Sequence, residues 1–386
     1  MTASRRDRRD PLGMMDMVDA AVGAELHVKQ IESLGGIAAA AVHAGKLGVQ
    51  VIGRAMACSN GLLAKYAIKQ VDRMLSNDGI DPWALFAHWV PFVVGARPEI
   101  IVAMDWTDFD ADGHSTISIS MVTRHGRATP LLWKTVLKDG LKDHRNDYED
   151  QILGRLREVL PQGVRVTVLA DRGFGDQKLY QHLKRLGFDF VIRFRGVILV
   201  EDAMGVKKTA TEWVPTNGRA LKISPARITQ DAVEIPAVVC VKKRGMKEPW
   251  LLATSLSDAS AADIIKLYGK RFTIEETFRD TKNPRLGMGL SDCSIKRVDR
   301  RDRLLLLGAL ATAMLTILGA AGEANGIDRW FKANTVKTRT HSLFRQGCMY
   351  YDAMPTMRHE MLGPLITKFH ELLLEHHVFV NTLGIV

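Results

Sequence analysis

Three carboxylates stand where the sequence can bring them together. Asp105 closes the apolar run IIVAMD and Asp171 closes VTVLAD, so each ends a strand and leaves its acid at the margin of the core. Glu275 lies in YGKRFTIEETFRDTK, where Tyr268, Arg271, Glu275 and Lys282 recur at i, i+3, i+7 and i+14. At about 100° per residue these four fall within roughly a 60° arc of one helix face, beside an apolar stripe of Leu267, Ile274 and Phe278. Glu276 is turned about 100° away from that face, toward Ile265 and Phe272 with Arg279 as an ion-pair partner, so Glu275 is the expected third acid. Taken singly, each aspartate could be a turn or cap residue and the helix an ion-paired surface. Taken together, three carboxylates are donors for two hard divalent cations, Mg2+ with Mn2+ as substitute. Such ions would activate a water or a 3′-OH and stabilise the leaving oxygen of an in-line phosphoryl transfer.

The elements that must position these acids are legible around them. Short β-rich runs at 101–107, 115–123 and 128–137, parted by turn signals such as Asp112-Gly113, predict a three-stranded antiparallel meander. A helix at about 147–160, a strand at 164–170, a helix at about 176–186 and a strand at 188–194 follow. That order predicts an α/β fold with a mixed sheet and helices on its faces. It resembles the RNase H-like fold, which implies one acid on the first strand, one at the end of the fourth and one on a helix after the fifth. Between Gly196 and Pro249 alternating runs broken by turn candidates predict a β-rich insertion, and helical pattern resumes at about Ser257.

At 386 residues the chain is too long for one ordinary core. Lys and Arg number 53 against 43 Asp and Glu, and the net charge of +10 suits a polyanionic partner. Cys58, Cys240, Cys293 and Cys348 are far apart, which argues against a zinc site and for a reducing compartment. The first sixteen residues read as a basic arm rather than a signal peptide. Leu304 to Gly322 carries no charge and imitates a membrane span, but its Gly, Ala and Thr content and the flank KRVDRRDR favour a buried helix. Asp108, Asp110, Asp112 and Gly113 imitate the start of a calcium loop, yet its twelfth position would be Ile119, so a polar hairpin turn is expected. His376-His377 reads as surface, and no phosphate-binding glycine loop occurs. On a helix at 62–75, Lys65, Lys69 and Arg73 share one face, which either is simply solvated or contacts phosphates.

The signature Tyr268, Arg271, Glu275, Lys282 resembles the Y-(2)-R-(3)-E-(6)-K motif of bacterial insertion-sequence transposases of family four. Asp105-Trp106-Thr107, LADRGFGD around Asp171 and AKYAIKQVDRMLSN at 64–77 carry the resemblance over most of the chain. It implies a DDE transposase with Asp105, Asp171 and Glu275 as catalytic metal ligands, and Tyr268, Arg271 and Lys282 on DNA phosphates near the transposon end. PWLLATS resembles the family's W-x-x-x-T strand, so Trp250 either stacks on a base flipped out during hairpin formation or anchors packing. The implied partners are double-stranded DNA, as transposon ends and target, and a second copy in a homodimeric synaptic complex, with no membrane and a cytoplasmic, nucleoid-associated location. The expected division is a helical DNA-binding region at 1–98, a catalytic core at 99–195 and 250–330, the insertion at 196–249 and a helical region at 331–386. Two rivals share the fold: a nuclease or resolvase without strand transfer, and a domesticated DNA-binding protein without catalysis.

Overall fold

The computed structural model describes residues 13–285 and 287–374. Most of the basic arm, and His376-His377, lie outside the described residues. The chain opens with helices α1 (Met14–Val22), α2 (Val28–Ala44), α3 (Val49–Asn60), α4 (Ala64–Leu75) and α5 (Pro82–Val94). Asp81 caps α5 by accepting from the Trp83 N–H, with Pro82 at the first helical position where no N–H is needed.

The meander follows as expected. β1 (Glu99–Phe109), β2 (His114–Met121) and β3 (Thr129–Leu137) pair antiparallel in sequence order. Their first turn contains the calcium-like acids, and the chain's own donors take them up. Asp108 accepts from the Ser115 hydroxyl and Lys138, while Asp112 accepts the Ile295 N–H and pairs with Arg301. Every residue of β2 is buried, although Ser and Thr alternate along it. The hydroxyls are satisfied internally, Thr116 against Thr135 and Ser118 donating to the Leu132 carbonyl, as buried polar groups require.

Helix α6 (Arg145–Val159), β4 (Arg165–Ala170), α7 (Gln177–Leu186) and β5 (Asp189–Arg193) complete the pattern, with β4 parallel to β1 and β5 parallel to β4. The strand order β3-β2-β1-β4-β5 with helices on the sheet is the mixed α/β, RNase H-like arrangement that the element order implied.

The β-rich segment expected at 196–249 contributes strands to two sheets. Of its strands, β6 (Leu199–Glu201), β7 (Lys207–Thr209), β9 (Ala226–Ile228) and β10 (Val233–Ile235) form a separate four-stranded sheet. β8 (Leu221–Ile223) and β11 (Ala237–Val241) instead join β12 (Trp250–Thr254) to extend the main sheet past β5 in the order β5-β12-β11-β8. The physical reason is the β5 edge: its buried apolar strand would otherwise present unpaired N–H and C=O groups.

Helices α8 (Ala261–Gly269), α9 (Phe272–Lys282), α10 (Val298–Ala324), α11 (Leu343–Ala353) and α12 (His359–Leu374) close the described chain. The span-like segment lies within α10, and 83% of its most apolar window is buried inside the protein. Its composition has a packing cause. A Cβ on Gly319 would lie 1.9 Å from the Leu343 carbonyl oxygen, and one on Gly347 of α11 would lie 1.8 Å from that of Leu315. Glycine thus lets the two backbones touch. At the charged start of α10, buried Arg303 donates to the Leu75 and Ile80 carbonyls, which fastens the N-terminal helices to the sheet-covering helix.

Candidate active site

β1 and β4 are neighbours, and their parallel pairing ends at Met104 opposite Ala170. Asp105 and Asp171 are the next residues, so the two acids emerge side by side where the strands part. Asp105 does not end its strand, as its apolar run suggested: β1 continues to Phe109 because β2 keeps pairing with it. The Asp105 side chain accepts from the Trp106 N–H at 2.8 Å. Asp171 starts a 3-10 turn and caps it by accepting from the Gly173 N–H at 2.7 Å.

Glu275 arrives from α9. The spacing of the signature predicts one helix, but the chain forms two, broken at Lys270 and Arg271, where the N–H of Arg271 bonds back three residues to Tyr268 and that of Ile274 to Arg271. The single 60° face therefore does not exist as such. Tyr268 is buried at 1% exposure, edge-on to Trp250 with ring centroids 4.9 Å apart. Ile264, Tyr268, Ile274 and Thr277 make the buried side, while Leu267 and Phe278 are only half-buried against it. Arg271, Glu275 and Lys282 still run along β1. Arg271 reaches Asp105 at 3.3 Å and Glu275 at 2.5 Å, and Lys282 donates to the Asp108 carbonyl at 2.5 Å. Glu276 pairs with Arg279 and, at 3.8 Å, with Arg127, away from the aspartates.

Burial pushes the Asp105 carboxyl up to about 6, although Arg271 pulls it down, and Asp171 and Glu275 add to the rise by repulsion. Asp105 thus feels both of the other acids. Among the described residues no group of three or more His, Cys, Asp or Glu side chains is close enough to hold a metal ion; Arg271 bridges Asp105 and Glu275 instead.

The family model for the transposase DDE domain matches residues 96–314, more than half of the chain. The chain belongs to that family. No curated protein matches it.

Within the matched residues, Asp105 lies on β1, Asp171 directly follows β4 and Glu275 lies on α9, beyond β5. Around them lie residues that spacing alone did not single out. Phe272 is 42% exposed, with its ring 6.0 Å from that of half-buried Trp250. Glu248 accepts from Arg172 at 2.9 Å and Arg193 at 2.7 Å; Arg172 follows Asp171, and Arg193 ends the neighbouring strand β5. A pattern of burial or tertiary pairing leaves no periodic signal for these. Thr254, the last residue of the W-x-x-x-T strand, is buried and its hydroxyl donates to the Phe190 carbonyl, a structural task.

Lys65 and Lys69 line an open groove of about 660 Å3 together with Tyr66, Lys296 and Arg300. Arg73 is exposed on the same helix but does not line it. Two of the groove's basic residues come from α4 and two from the segment at and just before α10, a junction invisible to helical spacing.

On the opposite face of β1 from Asp105, Trp106 donates its indole N–H to Glu149 at 2.9 Å. Burial pushes the Glu149 carboxyl up to about 7, the Trp106 bond and Arg145 pull it back, and Asp150 and Asp176 add repulsion. The folded state therefore binds this proton up to about pH 7, whereas the unfolded chain releases it near the ordinary value. Stability then falls as pH rises between those two values, and the full cost is present above the folded pKa. Glu149→Gln keeps the acceptor and removes the charge. Its urea-unfolding free energy is expected to gain on the native protein between pH 5 and pH 8 by roughly 1–3 kcal/mol. Parallel pH profiles would show that Glu149 is not held neutral.

Proposed function

We propose that this transposase cleaves DNA at the inverted-repeat ends of a mobile element and joins the freed 3′-OH ends to target DNA, by the route of insertion-sequence family four. The observation that carries this is the emergence of Asp105 and Asp171 side by side from adjacent parallel strands, with Glu275 tied to Asp105 through Arg271. The donor chemistry suits a hard divalent cation: Asp171 and Glu275 both raise the proton affinity of buried Asp105, and the Arg271 guanidinium opposes that rise. Asp105, Asp171 and Glu275 would hold the ions, Mg2+ with Mn2+ as substitute. When bound, these supply activation of the attacking water or 3′-OH and stabilisation of the leaving oxygen.

The chain's other residues bind and orient. Lys282 and Arg271 flank the acids and suit the phosphates on either side of the scissile bond. The Lys65, Lys69, Lys296 and Arg300 groove suits the backbone of the duplex leading to them. Trp250 and the more exposed Phe272 offer a stacking surface for a base turned out of the helix during hairpin formation, and Tyr268 supports Trp250 from behind rather than contacting phosphate itself. Action as a homodimer on paired ends, in the cytoplasm at the nucleoid, completes the reading.

The three acids facing a polyanion argue against a purely binding role, because unneutralised carboxylates repel phosphate. The nuclease rival is separated by one assay. A pre-cut element end with a free 3′-OH, incubated with the protein, divalent cation and a supercoiled plasmid, is expected to become covalently joined to the plasmid. Cleavage of uncut ends without any joining would leave a nuclease.

A further inference from the structure

Arg271 occupies the place where the proposed site requires a cation. The side chain is buried at 6% exposure, its Nη1 lies 3.3 Å from Asp105 Oδ2 and its Nη2 lies 2.5 Å from Glu275 Oε1. One guanidinium therefore bridges two of the three acids. The opposite oxygen of Asp105 accepts the Trp106 N–H, so Oδ2 is the one turned into the site. The Nε of Arg271 is buried with no hydrogen-bond partner, and the guanidinium carbon sits 4.7 Å from the Phe272 ring centroid and 5.9 Å from that of Tyr268. The residue lies at the break between α8 and α9, where the helical ladder tightens to three-residue bonds.

We propose that Arg271 is a latch that holds Asp105 and Glu275 together in the absence of DNA and is displaced when divalent cation enters, its freed guanidinium then taking a DNA phosphate. This rests on reading Asp105, Asp171 and Glu275 as metal ligands. The reasoning is one of competition. The carboxylate oxygens that receive the guanidinium are those a cation would need, and a dication beside an unmoved guanidinium would repel it in a poorly solvated place. Without DNA, cation entry must turn Arg271 out and leave its charge without a partner. With DNA, a phosphate matches the planar fork as well as the carboxylates did. Cation and DNA therefore strengthen each other's binding, and by linkage the factor is the same in both directions. Arg271 is in this account a positioning residue whose two partners alternate.

The test is a titration of the full-length protein with Mn2+, followed by electron paramagnetic resonance, with and without a duplex of arbitrary sequence at low salt. Only the binding lost in Asp105→Asn is counted. The native protein is expected to bind Mn2+ about tenfold more tightly with duplex than without. Arg271→Gln is expected to bind Mn2+ alone about as tightly as the native protein does with duplex, and to lose most of the gain on adding DNA. Arg271→Lys, which keeps the charge but not the fork, should fall between, and it carries the test if circular dichroism shows the Gln variant unfolded. A folded variant with unchanged or weaker Mn2+ affinity overturns the latch while leaving the metal site standing. Absence of Asp105-dependent Mn2+ binding in the native protein, even with duplex, overturns the metal site and the latch with it.

Discussion

Asp105→Ala or Asp171→Ala is expected to reduce cleavage of an element end by at least about a thousandfold, roughly 4 kcal/mol of barrier, while the protein still binds that end. Each substitution removes a proposed metal ligand from the place where β1 and β4 part and the two acids emerge together. Each also removes a negative charge that faces phosphate, so binding should hold or tighten. The side effects on folding are modest by comparison. Asp171→Ala forfeits the cap on Gly173, worth about 1 kcal/mol. Asp105→Ala leaves Arg271 its stronger contact with Glu275. A gel shift and a cleavage assay on the same DNA separate the two functions. Binding lost in step with cleavage would make these residues structural rather than catalytic.

The second large effect distinguishes neighbours. Glu275→Gln keeps the shape and removes one charge of the proposed ligand set, and it is expected to be inactive in Mg2+. Glu276→Gln should cleave within about tenfold of the native protein, a change of about 1.4 kcal/mol. The structure supplies the reason that helical spacing only suggested: Glu275 is bridged to Asp105 by Arg271, whereas Glu276 is engaged with Arg279 and Arg127. A paired surface position of that kind contributes little. Inactivity of the Glu276 variant with retained activity of the Glu275 variant would contradict the site.

What the sequence disclosed was local, and what it concealed was mostly tertiary. The runs ending at Asp105 and Asp171 could be read because alternation and turn residues act over a few positions, and the meander and the buried α10 were legible for the same reason. The continuation of β1 to Phe109 was not, since it depends on β2 remaining paired after β4 has left. A window from Tyr268 to Lys282 satisfies helical periodicity on paper, but the tightening at Lys270 and Arg271 turns Tyr268 into the core and leaves Arg271 between two acids. Likewise, the alternating runs after Gly196 announced strands but not their partners, and only the unpaired edge of β5 explains why β12, β11 and β8 extend the main sheet. Lys296 and Arg300 stood out in the sequence only as part of the charged flank KRVDRRDR. They acquire meaning by standing across a groove from Lys65 and Lys69.

The most direct measurement is anomalous diffraction at the manganese edge from crystals of this transposase bound to a DNA end and soaked in Mn2+. The account predicts anomalous peaks within bonding distance of Asp105, Asp171 and Glu275, with the Arg271 guanidinium moved off Asp105 and onto a phosphate. Manganese found instead at the acids of the β1–β2 turn, Asp108, Asp110 and Asp112, with Arg271 still bridging Asp105 and Glu275, would contradict it.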